Sequence, residues 1–369
     1  MKKSLERAFL REQIVEIAEG LYDIGKVREV YEIFGGYINR SFGLVVDTDA
    51  GLKDYFLRKY KRGIAVDEVK FEHALINHCI DRGFTIAARV ISNRNNKTYV
   101  KPSKSRSIFA VYEYLAGEDK YTWDNPILND EEFASAAKML ATFHNAARDF
   151  DPKGLQRVEA KILDLLPTFT VNLQKFAQDT GTGKFYRYLL DNLDDILTVI
   201  QKTHIDAADT GKMPLYPIHC DYHPGNLKFE NNQVVGIFDF DWSKIDFRLF
   251  DVSLALDYFC SSWEDAHDGE MLLDRCILFL TTYQEEAHRM GGMESLNEIE
   301  IKNIPAMLAA ANLYLINWIV TTYYADPDLN DHEYLIYLKH TVRLMRWIED
   351  HEDDIVQVMA VFPRTSSIF

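Results

Sequence analysis

The run His219-Cys220-Asp221-Tyr222-His223-Pro224-Gly225-Asn226, followed by Phe238-Asp239-Phe240-Asp241, constrains this chain more than any other feature. Asp221 stands five residues before Asn226, and Asp239 arrives after two short β-prone runs. These runs are Leu227-Lys228-Phe229-Glu230 and Val234-Val235-Gly236-Ile237-Phe238, and the turn-forming Asn231-Asn232-Gln233 separates them. Folded as a hairpin, they bring Asn226 and Asp239 together. An amide oxygen beside a carboxylate is a hard donor pair suited to Mg2+, which takes few protein groups and completes its octahedron with phosphates and water. Asp221, just outside that pair, is placed to accept a hydroxyl's proton as the oxygen attacks a phosphate. Each part also has an ordinary reading. Asp and Asn around Pro-Gly are common turn formers, and Phe-Asp-Phe-Asp suits an edge strand with one polar face. The order and spacing of all the parts together point to phosphoryl transfer. His223 has no second His or Cys at ligand spacing, so it reads as a structural or substrate-contact residue.

The segments "HCDYHPGN", "GIFDFD" and "DFRLFDVSLAL" resemble the signature of the aminoglycoside phosphotransferase and choline kinase superfamily, which includes homoserine kinases of the same fold and several sugar kinases. The likeness extends in diluted form over most of the chain. It implies an α+β, two-lobed protein-kinase-like fold: a small antiparallel β-sheet lobe with one helix, then a larger, mainly helical lobe, with the active site in the cleft. It implies ATP and Mg2+ as cofactors and a small-molecule hydroxyl as acceptor. Residues 1–116 are then the nucleotide-binding lobe, and 117–369 the helical lobe with the catalytic loop and acceptor site. Asp221 acts as base, Asn226 and Asp239 hold metal, and His219, Asp241 and Asp251 support the site. Cys220 occupies a position where many relatives have Gly, and reads as a small tolerated side chain, not a nucleophile.

Composition agrees with a large globular enzyme. A length of 369 residues leaves room for two domains, and 47% hydrophobic with 27% charged residues is ordinary. Met1-Lys2-Lys3-Ser4 carries the charge of a signal n-region, but Glu6, Arg7, Arg11 and Glu12 interrupt any hydrophobic stretch. No later segment reads as having enough uncharged residues to span a bilayer, so a cytoplasmic enzyme without a membrane partner is expected. Cys79, Cys220, Cys260 and Cys276 lack CxxC spacing, which indicates neither a disulfide framework nor a zinc site. Residues 1–116 hold 20 Lys+Arg against 15 Asp+Glu, leaving 21 against 42 for the remainder of a chain of net charge −16. A mildly basic first part suits a polyphosphate, and an acidic second part suits Mg2+ and a cationic substrate. Nucleic acid is not expected as a partner. Acidic helices that keep the surface solvated account for the same imbalance.

Along the first part, Val27 to Phe34, Ser41 to Asp47 and Tyr55 to Tyr60 read as strands of an antiparallel meander. Gly35-Gly36-Tyr37-Ile38-Asn39-Arg40 would be the loop over the nucleotide phosphates, where missing side chains let backbone N–H groups approach anions. It does not match GxGxxG, and a plain hairpin turn accounts for the same residues. The family likeness aligns a phosphate-binding cation with Arg58, although Lys59 is adjacent and only one of two successive strand residues can face the site. A helix from Asp67 to about Cys79 carries Glu72, which would pair with that cation. An exposed helical Glu is the alternative. Ile108 to Leu115 reads as a buried strand, where the likeness implies adenine contacts from the backbone of Glu113 and Leu115.

Beyond residue 117 the pattern turns helical: Phe133 to Ala147, then amphipathic runs over about 183–204, 269–290, 299–324 and 331–360. His144 reads as a packing residue. Asp241 could equally cap or turn the chain. Asp251, entering an apolar helix, needs partners such as buried loop N–H groups. Asp246, Asp257, Glu264, Asp265 and Asp268, with Trp242, Tyr258, Phe259 and Trp263, could line an acceptor cleft and suit an amine-bearing alcohol; Tyr323, Tyr324 and Asp326 are candidates of the same quality. Homoserine or another amino alcohol is the favoured acceptor. Sugar or aminoglycoside kinases, a stress-response-type protein Ser/Thr kinase and a non-catalytic nucleotide-binding module are the rivals.

Overall fold

Alternating apolar residues in the first third build a meander, and an apolar stripe of helical spacing covers it. The computed structural model describes residues 2–34, 38–103, 106–178, 181–326 and 329–360. They divide into two units: Met1–Gly117 with Phe150–Arg157 and Val235–Asp241, and the remainder. Two short segments from later in the chain therefore join the first unit, so it is not a single stretch of sequence.

In the first unit, helix α1 (Lys2–Leu21) precedes a four-stranded antiparallel sheet in the order β1 (Lys26–Ile33), β2 (Arg40–Thr48), β3 (Gly51–Lys59), β4 (Phe109–Glu113). Helix α2 (Val66–Asp81) lies between β3 and β4 in sequence. Gly51, at φ +112°, makes the tight β2–β3 turn that a side chain would strain. Leu10, Ile14, Ile17 and Ala18 of α1 pack in one core with Phe42, Leu44 and Val46 of β2, Leu57 of β3, and Phe109 and Val111 of β4. The sequence reading, which took this part as mostly strands, did not foresee α1. Charged residues interspersed along its sequence hide the periodicity of that stripe. The first turn of α2 carries Asp67 and Glu68, and the Glu68 carboxylate accepts the Ala65 N–H at 3.2 Å, satisfying an end donor.

The second unit is built on helices α3 (Asp130–Ala147), α4 (Ile162–Ala177), α5 (Lys184–Lys202) and α6 (Ala207–Thr210). Strands β5 (Leu215–Ile218), β6 (Leu227–Glu230), β7 (Gln233–Ile237) and β8 (Lys244–Phe247) follow. Helices α7 (Arg248–Cys260), α8 (Leu273–Met290), α9 (Glu298–Lys302), α10 (Ile304–Ala325), α11 (Asp331–Asp350) and α12 (Glu352–Ala360) complete it. Strands β5 and β8 pair antiparallel, and β6 pairs with β7, whose last residues belong to the first unit. The β6–β7 turn is only Asn231-Asn232, at φ +49° and +60°, the left-handed pair that a two-residue hairpin demands; Gln233 is already in the strand.

Three expectations need correction. Helix α4, with Pro167 in its second turn, was not anticipated. The run 331–360 breaks at His351 into two helices. The third concerns α10, read as amphipathic in a chain with no bilayer-length uncharged segment: its 22 residues contain no charge, and by length and composition it could cross a membrane. Its most apolar window is 72% buried, because α4, α5, α7, α9, α11 and α12 pack around it. A helix enclosed on all sides has no polar face to keep.

Candidate active site

In the first unit, β3 alternation turns Leu57 and Lys59 one way and Phe56, Arg58 and then Tyr60 the other. Arg58, only 5% exposed, lies 3.5 Å from the Glu72 carboxylate and 2.9 Å from that of Asp239, whereas Lys59 is half-buried at the sheet. Two phenols fix Glu72 from behind: Tyr60 donates to its Oε2 at 2.7 Å and Tyr112 to its Oε1 at 3.0 Å. Their hydroxyls are 2.6 Å apart, and His73 Nε2 lies 3.0 Å from each. The rings of Phe56, Tyr60 and Tyr112 surround the Arg58 guanidinium at 5.7–6.0 Å. Burial pushes Glu72 up to about 7 against the pull of Arg58, with Asp241 adding to the rise, while burial pushes His73 down to about 3 and keeps it neutral.

Asp239 follows β7 at φ +68°, a left-handed conformation uncommon for a residue with Cβ, and Phe240–Trp242 then form a short 3-10 turn. Asp241 is pushed up to about 7, first by burial and then by the like charge of Asp239. Asn39 Nδ2 donates to Asp241 Oδ2 at 2.7 Å, and Arg157 donates to the Asp241 carbonyl. Two neighbouring carboxylates whose charges oppose one another are what a divalent cation relieves. Among the described residues no group of three or more His, Cys, Asp or Glu forms a metal cage. Sparse hard oxygens of this kind fit Mg2+ better than zinc.

In the second unit, Asp221 follows Cys220, which also adopts a left-handed φ of +63°. This bend is the physical reason a Gly would suit position 220. Asp251 at the start of α7 holds it: its carboxylate accepts the N–H of His219 at 2.9 Å and of Cys220 at 2.7 Å, and His144 Nε2 lies 3.0 Å away. Arg248, one turn earlier, is anchored by a doubly hydrogen-bonded pair with Glu300 at 3.0 and 2.5 Å, which fixes where α7 begins. Asn226 Nδ2 donates to the Asp221 carbonyl at 2.8 Å and to Asp221 Oδ2 at 3.0 Å, so its own Oδ1 faces elsewhere and can act as a ligand. Tyr258 donates to Asp221 Oδ1 at 3.5 Å, and His223 Nε2 is 3.6 Å from the same oxygen. Burial alone pushes Asp221 up; the charges of His223 and His219 and the Asn226 hydrogen bond outweigh it and leave the carboxyl below the usual range. The acid is held ionised. Burial pushes the Cys220 thiol up, so it carries no thiolate character.

The structure thus groups Arg58, Glu72, Asp239 and Asp241 in one unit, and His219, Asp221, Asn226 and Asp251 in the other. Gly35 and Gly36 lie outside the described residues. Glu113 donates its N–H to the Arg89 carbonyl at 2.8 Å, which leaves its carbonyl side for a ligand; Leu115 lies beyond β4 and is half-buried. Asp246, considered for the acceptor, is instead fully buried beside Lys244 at 3.1 Å and caps the Ile162 N–H, a structural role. Asp268 is engaged by His340 and Arg343. Sequence reasoning missed Tyr60, Tyr112, His73 and Arg157, and placed Asn39 in the phosphate loop without its partner Asp241. Only Tyr60 left a signal, since residues 58 and 60 share a strand face.

A small antiparallel sheet with a buried Arg–Glu pair, and a helical unit presenting an ionised Asp on a bent loop, define a kinase-like phosphotransferase. The model of the phosphotransferase enzyme family matches residues 30–288, and the chain belongs to that family. The homoserine kinase of Nitrobacter winogradskyi is 26% identical over 301 residues, 81% of each chain. Spectinomycin phosphotransferase, solved with ADP and spectinomycin, superposes with a TM-score of 0.62 at 15% identity, over 92% of this chain and 98% of its own. For the microcompartment-associated aminopropanol kinase the TM-score is 0.62 at 14% identity, over 93% and 98%. The protein is an enzyme, a kinase acting on a hydroxyl group, in the superfamily that the motifs resemble.

Proposed function

We propose that the enzyme transfers the γ-phosphate of ATP, with Mg2+, to the hydroxyl of a small amino alcohol, homoserine being the preferred acceptor. The observation that carries this reading is the setting of Asp221, an ionised carboxylate on a rigid loop with its amide partner Asn226. Asp221 accepts a hydrogen bond from the acceptor hydroxyl, orients its lone pair and takes the proton as the P–O bond forms. Its low pKa suits orientation early and proton transfer late. Arg58, kept in place by Glu72, neutralises phosphate oxygens. Asp239, with Asp241 beside it, would hold Mg2+, which when bound supplies charge neutralisation and alignment of the transferred group, and the family resemblance implies Asn226 as a further ligand. The acceptor class is supported by the homoserine kinase relative and by the aromatic surroundings of Asp221, where Tyr258 packs near Trp123 at 6.1 Å.

ADP release with Mg·ATP, measured across homoserine, aminopropanol, choline, sugars and aminoglycosides, should give the highest kcat/KM for homoserine. Phosphate entering protein while every small alcohol stays untouched overturns the proposal. Asp221→Asn should lower kcat by about 10²–10⁴-fold while leaving Mg·ATP affinity within a few-fold. Undiminished turnover in that variant removes Asp221 from the chemistry.

A further inference from the structure

We infer that Asn39 is a positioning residue for the nucleotide site, a clasp that ties the entry to β2 to the acidic turn after β7; the inference rests on the proposed nucleotide reading of that turn. Its side-chain amide serves two separate segments at once. Nδ2 donates to Asp241 Oδ2 at 2.7 Å, and Oδ1 accepts the Lys61 N–H, just past β3, at 2.9 Å. Both ends of a partly buried amide are thereby committed, and an Asn with donor and acceptor fixed by different partners has one orientation. Asp241 is 202 positions away in sequence, so the bond joins the residue just before β2 to the segment Val235–Asp241 that the first unit recruits from late in the chain.

The contact matters because of what flanks it. Gly35-Gly36 stand just upstream of Asn39 in sequence, and Asp239, two residues before Asp241, is paired with Arg58 at 2.9 Å. The clasp therefore joins the residue entering β2 to the turn bearing the proposed metal-binding carboxylate, while Arg157 holds the same turn through its Asp241 carbonyl. A hydrogen bond to a carboxyl oxygen is among the stronger ones once that group is ionised. Fixing the loop end and the turn before the nucleotide arrives removes an ordering cost that binding would otherwise meet. Asn39 touches no reacting atom, and it acts through Asp241 and Lys61.

The two halves of the clasp can be separated by substitution. Asn39→Ala loses both bonds. Asn39→Asp keeps an acceptor for the Lys61 N–H but replaces the donor with a carboxylate facing Asp241. By calorimetry, Asn39→Ala should weaken Mg·ADP binding roughly 10-fold, and Asn39→Asp at least as much, with the acceptor KM unchanged within about two-fold. In the nucleotide-free protein, hydrogen exchange should quicken across 239–243 in both variants, but at Lys61 only in Asn39→Ala. Thermal midpoints should stay close to that of the unsubstituted protein. Wild-type Mg·ADP affinity in Asn39→Asp overturns the inference, since the Lys61 bond alone would then suffice; so does unchanged exchange across 239–243. Failure of the unsubstituted protein to bind Mg·ADP would instead strike the functional reading, and the exchange comparison still decides whether the clasp exists.

Discussion

Asp257 shows how one residue can set a pH response. It is 2% exposed on α7, neither carboxylate oxygen has a hydrogen-bond partner among the described residues, and burial pushes its pKa well above the ordinary value. An acid whose pKa is raised by folding contributes nothing unfavourable below its unfolded value near 4, and costs stability as pH rises from there towards its folded pKa. Asp257→Leu, of similar volume and apolar, should therefore be more stable than the unsubstituted protein at neutral pH. The gap should widen with pH, by up to about 1.4 kcal/mol per unit above pH 4. Urea denaturation at pH 4.5 and 7.5 reads this directly, and an equal gap at both would show that Asp257 has a charge partner. Asp251, six residues earlier on the same helix, is equally buried, yet it receives two loop N–H groups. Sequence offered the same residue type in both places. The difference lies in whether a loop passes overhead.

At the scale of elements, strands and their turns were legible because β-prone runs alternate and their turns carry Gly or Asn. Helix α1 was not, because its stripe of Leu10, Ile14, Ile17 and Ala18 is spread among charged residues and gains meaning only against the core of the sheet. That stripe also makes α1 indispensable. A chain beginning at residue 22 would expose Phe42, Leu44 and Val46, each of which α1 now helps to bury. Each apolar side chain returned to water costs about 1.5–3 kcal/mol, so the truncated chain should unfold or aggregate at 25 °C. A cooperative thermal transition near that of the full chain would refute this. The loop motif around Asp221 was legible for a different reason. Asp221 and Asn226 fall within one short turn, so their hydrogen bond at 3.0 Å is a local matter that spacing already constrains.

At the scale of the whole molecule, the proposed cofactor predicts a linked stability. Mg·ADP at 100 times its Kd should stabilise the protein by about 2.7 kcal/mol, and thermal scans should show the midpoint rising with ligand and returning when EDTA removes the metal. A rise that survives EDTA would separate nucleotide binding from the carboxylates of Asp239 and Asp241. Local order in the chain was enough to announce the family and the class of chemistry, because turn geometry and strand alternation act over a few residues. Spacing could not say that Arg58 would be enclosed by three aromatic rings, that Glu72 would rest on two phenols, or that α10 would be a core helix with no polar face. Nor could it reveal Asn39 reaching Asp241. Burial, and the partners a buried polar group must find, are set by segments distant in sequence, and those meet only when the chain has packed.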